Sequence, residues 1–514
     1  MAILSKFSVL IALTLTGTTA LSGTSSLRTV ITEDLTWKID PTGVRSIETH
    51  DLVTAIAPRL VEWNMSNGQI VAGLAEAFYW NGNELNFKIR KGHKSPKGDE
   101  ITSDDVIFSL ERLFKSKDRV AMPGRLDQVL CITKSGNLVC NNIVRINDHE
   151  LKMIFPSASA AYVDYLTDPV YSIVLRKSVD NRTGKIEDLA NYAGRYHVRE
   201  NSADRIVLAV NKNHWGYRSQ QPAEVIFIRL KRNSTPFIEQ AIELLKKRKI
   251  DYIGVSPRMT PEQFENLKET FGKDASYYTS DELNARFLLF TNKGMKLPKE
   301  LRQTLSKLIQ KHVNNKREML KTYKRPTIEF LAAGSYGSFR SQDFSLVEEI
   351  RSKLPSSLPQ GTKIKIGIQT KFWQDFLSEH LVPLSESLEF VPVSKNVDDL
   401  IREDSDPDAP DLIPLSSDIT TVEAFQTIGF FVDRKIFNIR NENEGIRWIK
   451  SYTEEKIPQK RVDMYRQLHF DSVVTNPSII PLYTSPFRAF SINGWKIDDF
   501  PNTAPGGDIW TIRK

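Results

Sequence analysis

The stretch from Leu60 to Phe114, LVEWNMSNGQIVAGLAEAFYWNGNELNFKIRKGHKSPKGDEITSDDVIFSLERLF, decides how this 514-residue chain is read. Phe78 and Trp80 lead into Asn81-Gly82-Asn83, where Asn and Gly tolerate the positive φ of a tight turn. Leu85, Phe87 and Ile89 then alternate with polar neighbours, as a half-buried strand requires. A β-hairpin is predicted. Gly92 and Gly98 bound a short polar connection, after which Thr102 and Asp105 stand three apart in the manner of a capping box, with carboxylate charge favoured at a helix N-terminus. Val106, Ile107, Leu110, Leu113 and Phe114 follow at helical spacing and give one apolar stripe to lay against the hairpin. Taken alone, these residues describe a plain α+β scaffold.

The order and spacing of the segment also resemble the family 5 extracellular solute-binding proteins, the peptide- and nickel-type receptors of bacterial ABC importers. Their pattern, approximately LAExW, turn, FxLRxGVxFHDGxPLTAxDVxxS, stands here as Leu74-Ala75-Glu76-Ala77-Phe78, then Phe87-Lys88-Ile89-Arg90-Lys91-Gly92-His93, then Gly98-Asp99-Glu100-Ile101-Thr102-Ser103-Asp104-Asp105-Val106. Phe78 replaces the usual Trp, Ile89 the usual Leu, and Ser95-Pro96-Lys97 stands where an aromatic and His-Asp are common. Further blocks follow in the family's order. Ala193-Gly194-Arg195-Tyr196, Arg205-Ile206-Val207-Leu208 and Asn211-Lys212-Asn213-His214-Trp215 resemble its GPYxL…IxLxxNxxYW element, Lys249-Ile250-Asp251 its Gly-x-hydrophobic-Asp ending, and Asn476 to Tyr483 its PxxPLY element. Between them, Glu224 to Leu230 reads as a strand and Ile238, Ala241, Ile242 and Leu245 as a helix stripe.

The resemblance implies an α/β, type II periplasmic binding fold with two lobes, an inserted subdomain and a ligand cleft between the lobes. Residues 27–47, 191–280 and 482–514 would form the first lobe, 48–190 the inserted subdomain, and 281–481 the second lobe. It implies capture of a solute, foremost an oligopeptide, by hinge closure, and delivery to inner-membrane ABC permease subunits. No bond is made or broken in that task, so no catalytic residue, cofactor or metal is expected, and the protein is expected to act as a monomer. In peptide-binding members a buried aspartate pairs with the peptide's α-amino group; the best-matching position here is Asp418, in Ser416-Ser417-Asp418 with Phe425 seven residues on. The usual aromatic before it and Pro after it are missing. A second reading of Asp418 stays open, as a helix N-terminal residue capping Ile419-Thr420-Thr421.

Charge excludes little by itself. The net charge of +7 is a small excess of 70 basic over 63 acidic residues, so a nucleic-acid partner is not expected, and Lys246-Lys247-Arg248-Lys249 reads as a solvated helix end. At the N-terminus, Lys6 precedes the apolar Phe7 to Leu15 and small residues through Gly23, the layout of a secretory signal peptide over residues 1–23. Leu21-Ser22-Gly23 opens like a lipoprotein box, but Thr24 stands where the acylated cysteine would be. A soluble periplasmic protein without a lipid anchor is the expectation, since no other segment approaches the roughly 18 apolar residues of a membrane span.

Cys131 and Cys140 are the two cysteines, and the Ser135-Gly136-Asn137 turn between them would fold their flanking β-formers together and close a disulfide in an oxidising compartment. Two separate thiols are the alternative; two cysteines alone lack the ligands that tetrahedral zinc demands. Later in the chain, Leu346, Val347, Ile350 and Leu354 make a helical stripe, Ile364, Ile366 and Ile368 alternate as a strand, and the acidic, proline-punctuated Asp398 to Asp411 reads as a surface loop. No HExxH pair or phosphate-binding glycine loop occurs, as expected if ATP hydrolysis belongs to a separate subunit. Ala333-Gly334-Ser335-Tyr336-Gly337 resembles a nucleophile elbow, though Phe330-Leu331 is a poor strand and Ser338 to Ser341 a poor helix start. Beside the solute receptor, the sequence therefore leaves a secreted α/β hydrolase and a binding-protein fold reused as a chaperone or signalling receptor.

Overall fold

The computed structural model describes residues 25–32, 39–44, 47–64, 67–116, 125–231, 235–256, 259–314, 327–393, 400, 408–439, 441–497 and 509–514. The signal-peptide and lipoprotein-box readings and most of the Asp398 to Asp411 stretch lie outside them. Strand Ala75–Asn81 turns at Gly82-Asn83 into Glu84–Ile89, with Asn81 opposite Glu84. Of the turn residues only Gly82 takes a positive φ, +60°. Helix Ser103–Lys115 starts where the capping pair directs, the Thr102 backbone N–H donating to the Asp105 carboxylate at 2.9 Å. It buries Val106, Leu110, Leu113 and Phe114, while Ile107 is half-buried. Glu150–Ile154 and Ile143–Asn147 complete a four-stranded antiparallel sheet beside the hairpin.

The Cys131–Cys140 disulfide is formed. It closes a small hairpin, Ile132–Lys134 paired with Asn137–Val139, whose two-residue turn Ser135-Gly136 has φ of 51° and 79°. Two positive φ values in a two-residue loop suit the twist of a hairpin; Asn137 already belongs to the second strand.

A second sheet orders Ser26–Thr32, Glu224–Leu230, Arg205–Val210 and Tyr196–Asn201, the first pair parallel and the others antiparallel. Helix Phe237–Lys246 buries Ile238, Ala241, Ile242 and Leu245 as their spacing demands, and Lys246 to Lys249 are exposed. Asp251 then ties segments far apart in the chain. Its carboxylate accepts from the Arg28 backbone N–H, Nε and Nη2 at 3.0, 2.8 and 2.7 Å and from Asn493 Nδ2 at 2.6 Å. Burial works against its charge, but these bonds outweigh it and hold the carboxyl below its usual range. Next to it lies a three-stranded sheet of Tyr252–Ser256, Arg488–Ser491 and Ser276–Thr279.

The 193–215 motifs turn out to be a docking joint. Gly194 N donates to Ile56 O at 2.8 Å, and a Cβ on Gly194 would sit 2.3 Å from the Ile56 carbonyl carbon, so only glycine permits the approach. His93 Nε2 bonds Ala193 O at 2.8 Å, and Trp215 stacks on His214 with ring centroids 3.7 Å apart. Arg195 reaches back to Glu62 at 3.1 Å.

Besides the two-stranded pair Val61–Asn64 and Gln69–Ala72, a five-stranded sheet remains, in the order Leu388–Pro392, Ile364–Ile368, Leu412–Asp418, Asn284–Phe290, Ile479–Ser485. The first three are parallel, and Asn284–Phe290 runs against both its neighbours. In PxxPLY, Pro481 lies opposite Phe287 at a register shift, and its carbonyl accepts from Gln310 at 3.0 Å. Two expectations need correction. Helix Ser341–Ser352 buries Val347, but Leu346 faces outward at 43% exposure, on the side of the helix away from Val347's packing. Asp411 is no surface-loop residue: it is buried at the start of its strand, where its carboxylate accepts from Lys365 N at 2.8 Å.

Candidate functional site

Two chain segments pass between the three-stranded and five-stranded sheets, side by side. Ser276–Thr279 continues into Asn284–Phe290, and antiparallel to it Ile479–Ser485 continues into Arg488–Ser491. At the crossing, Ser280 N donates to Phe487 O at 3.0 Å, Phe487 N donates to Ser280 Oγ at 2.9 Å, and Thr484 Oγ1 donates to Glu282 Oε2 at 3.0 Å. The regular ladder stops for residues 280–283 and 486–487 and resumes on either side. Two short, non-helical crossings of this kind are what a hinge requires, since a few element-terminal residues can absorb the change in φ and ψ.

Asp418 ends its strand in the register row nearest this crossing. Asn284 lies opposite it on one side and Ser485 opposite Asn284 on the other. Directly opposed residues share a face of the sheet. Asn284 Nδ2 donates to Asp418 Oδ1 at 3.1 Å and Asn284 is 1% exposed, while Asn284 Oδ1 and Ser485 Oγ, both buried, find no hydrogen-bond partner among the described residues. The row therefore presents acceptors, at the end of the sheet where Leu412–Asp418 and Ile479–Ser485 finish, the edge where open α/β sheets place ligands. The capping reading of Asp418 is corrected: the next helix, Phe425–Asp433, begins seven residues later with Ala424 at its N-cap.

A second junction joins residues of 61–167 to residues of 422–453. Helix Ala160–Tyr165 packs on the start of helix Phe425–Asp433 and on helix Glu442–Glu454. Asp164, 3% exposed, accepts from Trp63 Nε1 at 2.9 Å and from the Gln426 backbone N–H at 3.0 Å. Burial pushes its carboxyl up to about 7 against the pull of these bonds. Tyr165 OH and Thr453 Oγ1 are 3.0 Å apart, and Ser159 Oγ donates to Thr453 O at 2.6 Å. Sequence reasoning missed all of these residues. One signal was available, a lone acid inside the apolar run Tyr162-Val163-Asp164-Tyr165-Leu166, which has no reason to be charged unless something bonds it.

The elbow-like Ser335 is not arranged for nucleophilic attack. Its hydroxyl donates to Ala332 O at 2.6 Å from within a run of turns, with neither a strand before it nor a helix directly after. The nearby His469 is fully buried, accepts from Phe330 N at 2.9 Å through Nε2, and has Nδ1 3.2 Å from Gly337 O. Burial takes that imidazole down to about 3, so it stays neutral and structural.

Residues 69–344, more than half of the chain, match the family described as bacterial extracellular solute-binding proteins, family 5 Middle. No curated protein matches the sequence. Among solved structures, the fold is similar to the murein tripeptide binding protein MppA of Escherichia coli, with a TM-score of 0.71 and 16% identity over 95% of this chain and 98% of that one. It is similar to Haemophilus influenzae OppA in complex with the peptide RPPGFSPFR, with a TM-score of 0.69 and 14% identity over 95% and 98% of the two chains. NikA from Brucella suis, in complex with Fe(III)-EDTA, gives a TM-score of 0.72 and 12% identity over 95% and 100%.

Proposed function

We propose that this chain, which belongs to the family 5 bacterial extracellular solute-binding proteins, captures peptides between its lobes in the periplasm and releases them to an inner-membrane ABC permease. The observation that carries the peptide reading is the acceptor row Asp418, Asn284 and Ser485 at the hinge end of the five-stranded sheet. An ammonium group or an amide N–H donor is what such a row would take, since the buried Asn284 carbonyl needs a donor and the half-buried Asp418 carboxylate supplies a negative charge beside it. The similar structures carry different solutes, a peptide in OppA and Fe(III)-EDTA in NikA, so the fold alone does not choose the ligand.

The lobe assignment is part of the same proposal. Residues 27–47, 191–280 and 482–514 would form the first lobe, 48–190 the insert and 281–481 the second lobe, a division supported by the strand orders and by the two crossings. Strand Ile479–Ser485 belongs by pairing to the second lobe, which moves the final boundary a few residues later, to the crossing at 486–487. The protein would work as a secreted, unanchored monomer that turns nothing over, a reading supported by the occupied hydroxyl of Ser335.

Isothermal titration with short peptides of mixed sequence tests this. Binding is expected, and Asp418→Asn should weaken it by roughly 2 to 5 kcal/mol, because the peptide's charge would be left desolvated and unpaired. Unchanged affinity in the Asn variant removes Asp418 from the site; binding of no peptide moves the reading to another solute.

A further inference from the structure

We propose that Asp164 is a closure latch: a carboxyl group of the inserted subdomain that caps, in trans, the N-terminus of helix Phe425–Asp433 in the second lobe and so holds the lobes together at a junction separate from the two hinge crossings. The proposal rests on the two-lobe reading above and adds to it a contact that the hinge does not need.

The first four N–H groups of a helix have no partner within it, and a side chain at the N-cap ordinarily supplies one. Ala424 stands at the N-cap of Phe425–Asp433 and carries no side chain able to do so. The missing acceptor comes from 262 residues away in the chain, where Asp164 Oδ2 takes the Gln426 N–H at 3.0 Å. Its other oxygen is held by Trp63 Nε1 at 2.9 Å, so the carboxylate is aimed before the helix arrives. Thr167 Oγ1 lies 3.0 Å from the Gln426 side-chain amide, and Tyr165 OH reaches Thr453. The helix dipole and the two donors favour the charged form, while burial opposes it more strongly, so it is the hydrogen-bonded carboxyl group, neutral or charged, that fits the helix start.

The junction is also built to come apart. Among the described residues no strand or helix runs across it, and from the insert's side its polar contacts are made by side chains, those of residues 159–167 and Arg125, whose Nη1 is 3.1 Å from Glu442 Oε1, in contrast to the paired backbone at the hinge. Opened, Asp164 returns to water and the helix start is left without a cap, and both can be hydrated. Closed, each satisfies the other.

Disulfide trapping reads closure without any ligand. A Cβ placed on Gly68 would lie 3.5 Å from Val422 Cγ1, so Gly68→Cys with Val422→Cys brings two thiols together across this junction, clear of the latch bonds; the φ of +69° at Gly68 strains the cysteine equally in every variant compared. The rate of cross-link formation then measures how often the lobes meet. In the Asp164→Ala background it should fall at least tenfold. An unchanged rate overturns the latch while leaving two-lobe closure intact, and no cross-link in the Asp164 parent overturns the closure geometry itself. If Asp164→Ala fails to fold by circular dichroism, Tyr165→Phe, which removes only the hydroxyl contact with Thr453, should slow trapping two- to fivefold, and an unchanged rate there counts equally against the proposal.

Discussion

The two places where the halves of this molecule meet are made differently. At the hinge, two antiparallel segments run through from one sheet to the other and bond to each other across residues 280–283 and 486–487. At the Asp164 junction no strand or helix runs across among the described residues, and Asp164, Tyr165, Thr167 and Ser159 reach over as side chains. Backbone pairing persists through a change of angle, because the residues that bend lie between paired rows. Side-chain contacts with no paired backbone beneath them have no such continuity, since each rests on its own hydrogen bond.

The largest expected effect tests whether the hinge is anchored as described. Asp251→Ala should lower unfolding stability in urea by about 2 to 4 kcal/mol, less than a wholly buried pair would lose because Arg28 can reach solvent. A loss below about 1 kcal/mol would mean the first-lobe sheets hold without the Arg28–Asp251–Asn493 knot. Reduction of Cys131–Cys140 is the control, since neither cysteine is among the residues bonded at the crossing or to Asp164. A short closed loop is worth about 2 to 3 kcal/mol in chain entropy, so the melting temperature should fall modestly while peptide affinity stays unchanged. An affinity that falls with reduction would tie the small hairpin to closure.

The smallest effect concerns pH and the Asp164 junction alone. Open, Asp164 titrates in the ordinary carboxylate range near 4; closed, it titrates at about 7. Closing therefore takes up a proton, so closure strengthens as pH falls through 7 toward 4 and weakens above 7. Around it, Glu423 adds to the upward push and is itself held by Arg461 at 2.6 Å, Glu454 and Asp433 act through Tyr162 and Tyr165, and Arg59 bonds the Thr167 carbonyl at 2.8 Å. The closure equilibrium should shift on the order of tenfold between pH 8 and pH 6. Small-angle X-ray scattering should show a smaller mean radius of gyration at pH 6 than at pH 8, and Asp164→Ala should flatten that dependence; a flat wild-type curve would mean the junction does not open.

Local chemistry was legible and partnership was not. The hairpin at Gly82-Asn83, the Thr102–Asp105 cap, the stripe on Phe237–Lys246, the strand Glu224–Leu230 and the disulfide pair all follow from residues within about ten positions of one another. Asp418 was found by its place in a motif, and its strand-end position beside Asn284 could be seen only once residues 134 apart were paired. Asp411 was misread for the same reason, as an acid in an acidic stretch, before Lys365 was known to bond it. Leu346 failed in the opposite direction: helical spacing was right, and the residue lies on the exposed face of its helix.

By itself the sequence determined the element types and their order, the family, and the covalent loop, because side-chain periodicity, turn residues and caps act over one or two turns of chain. The tertiary structure alone decided that Asp251 knots Arg28 to Asn493, that Gly194 must admit Ile56, and that Asp164 caps a helix 262 residues away. Those facts depend on which surfaces meet, and a buried carboxylate carries no mark in the sequence of the donor that will satisfy it.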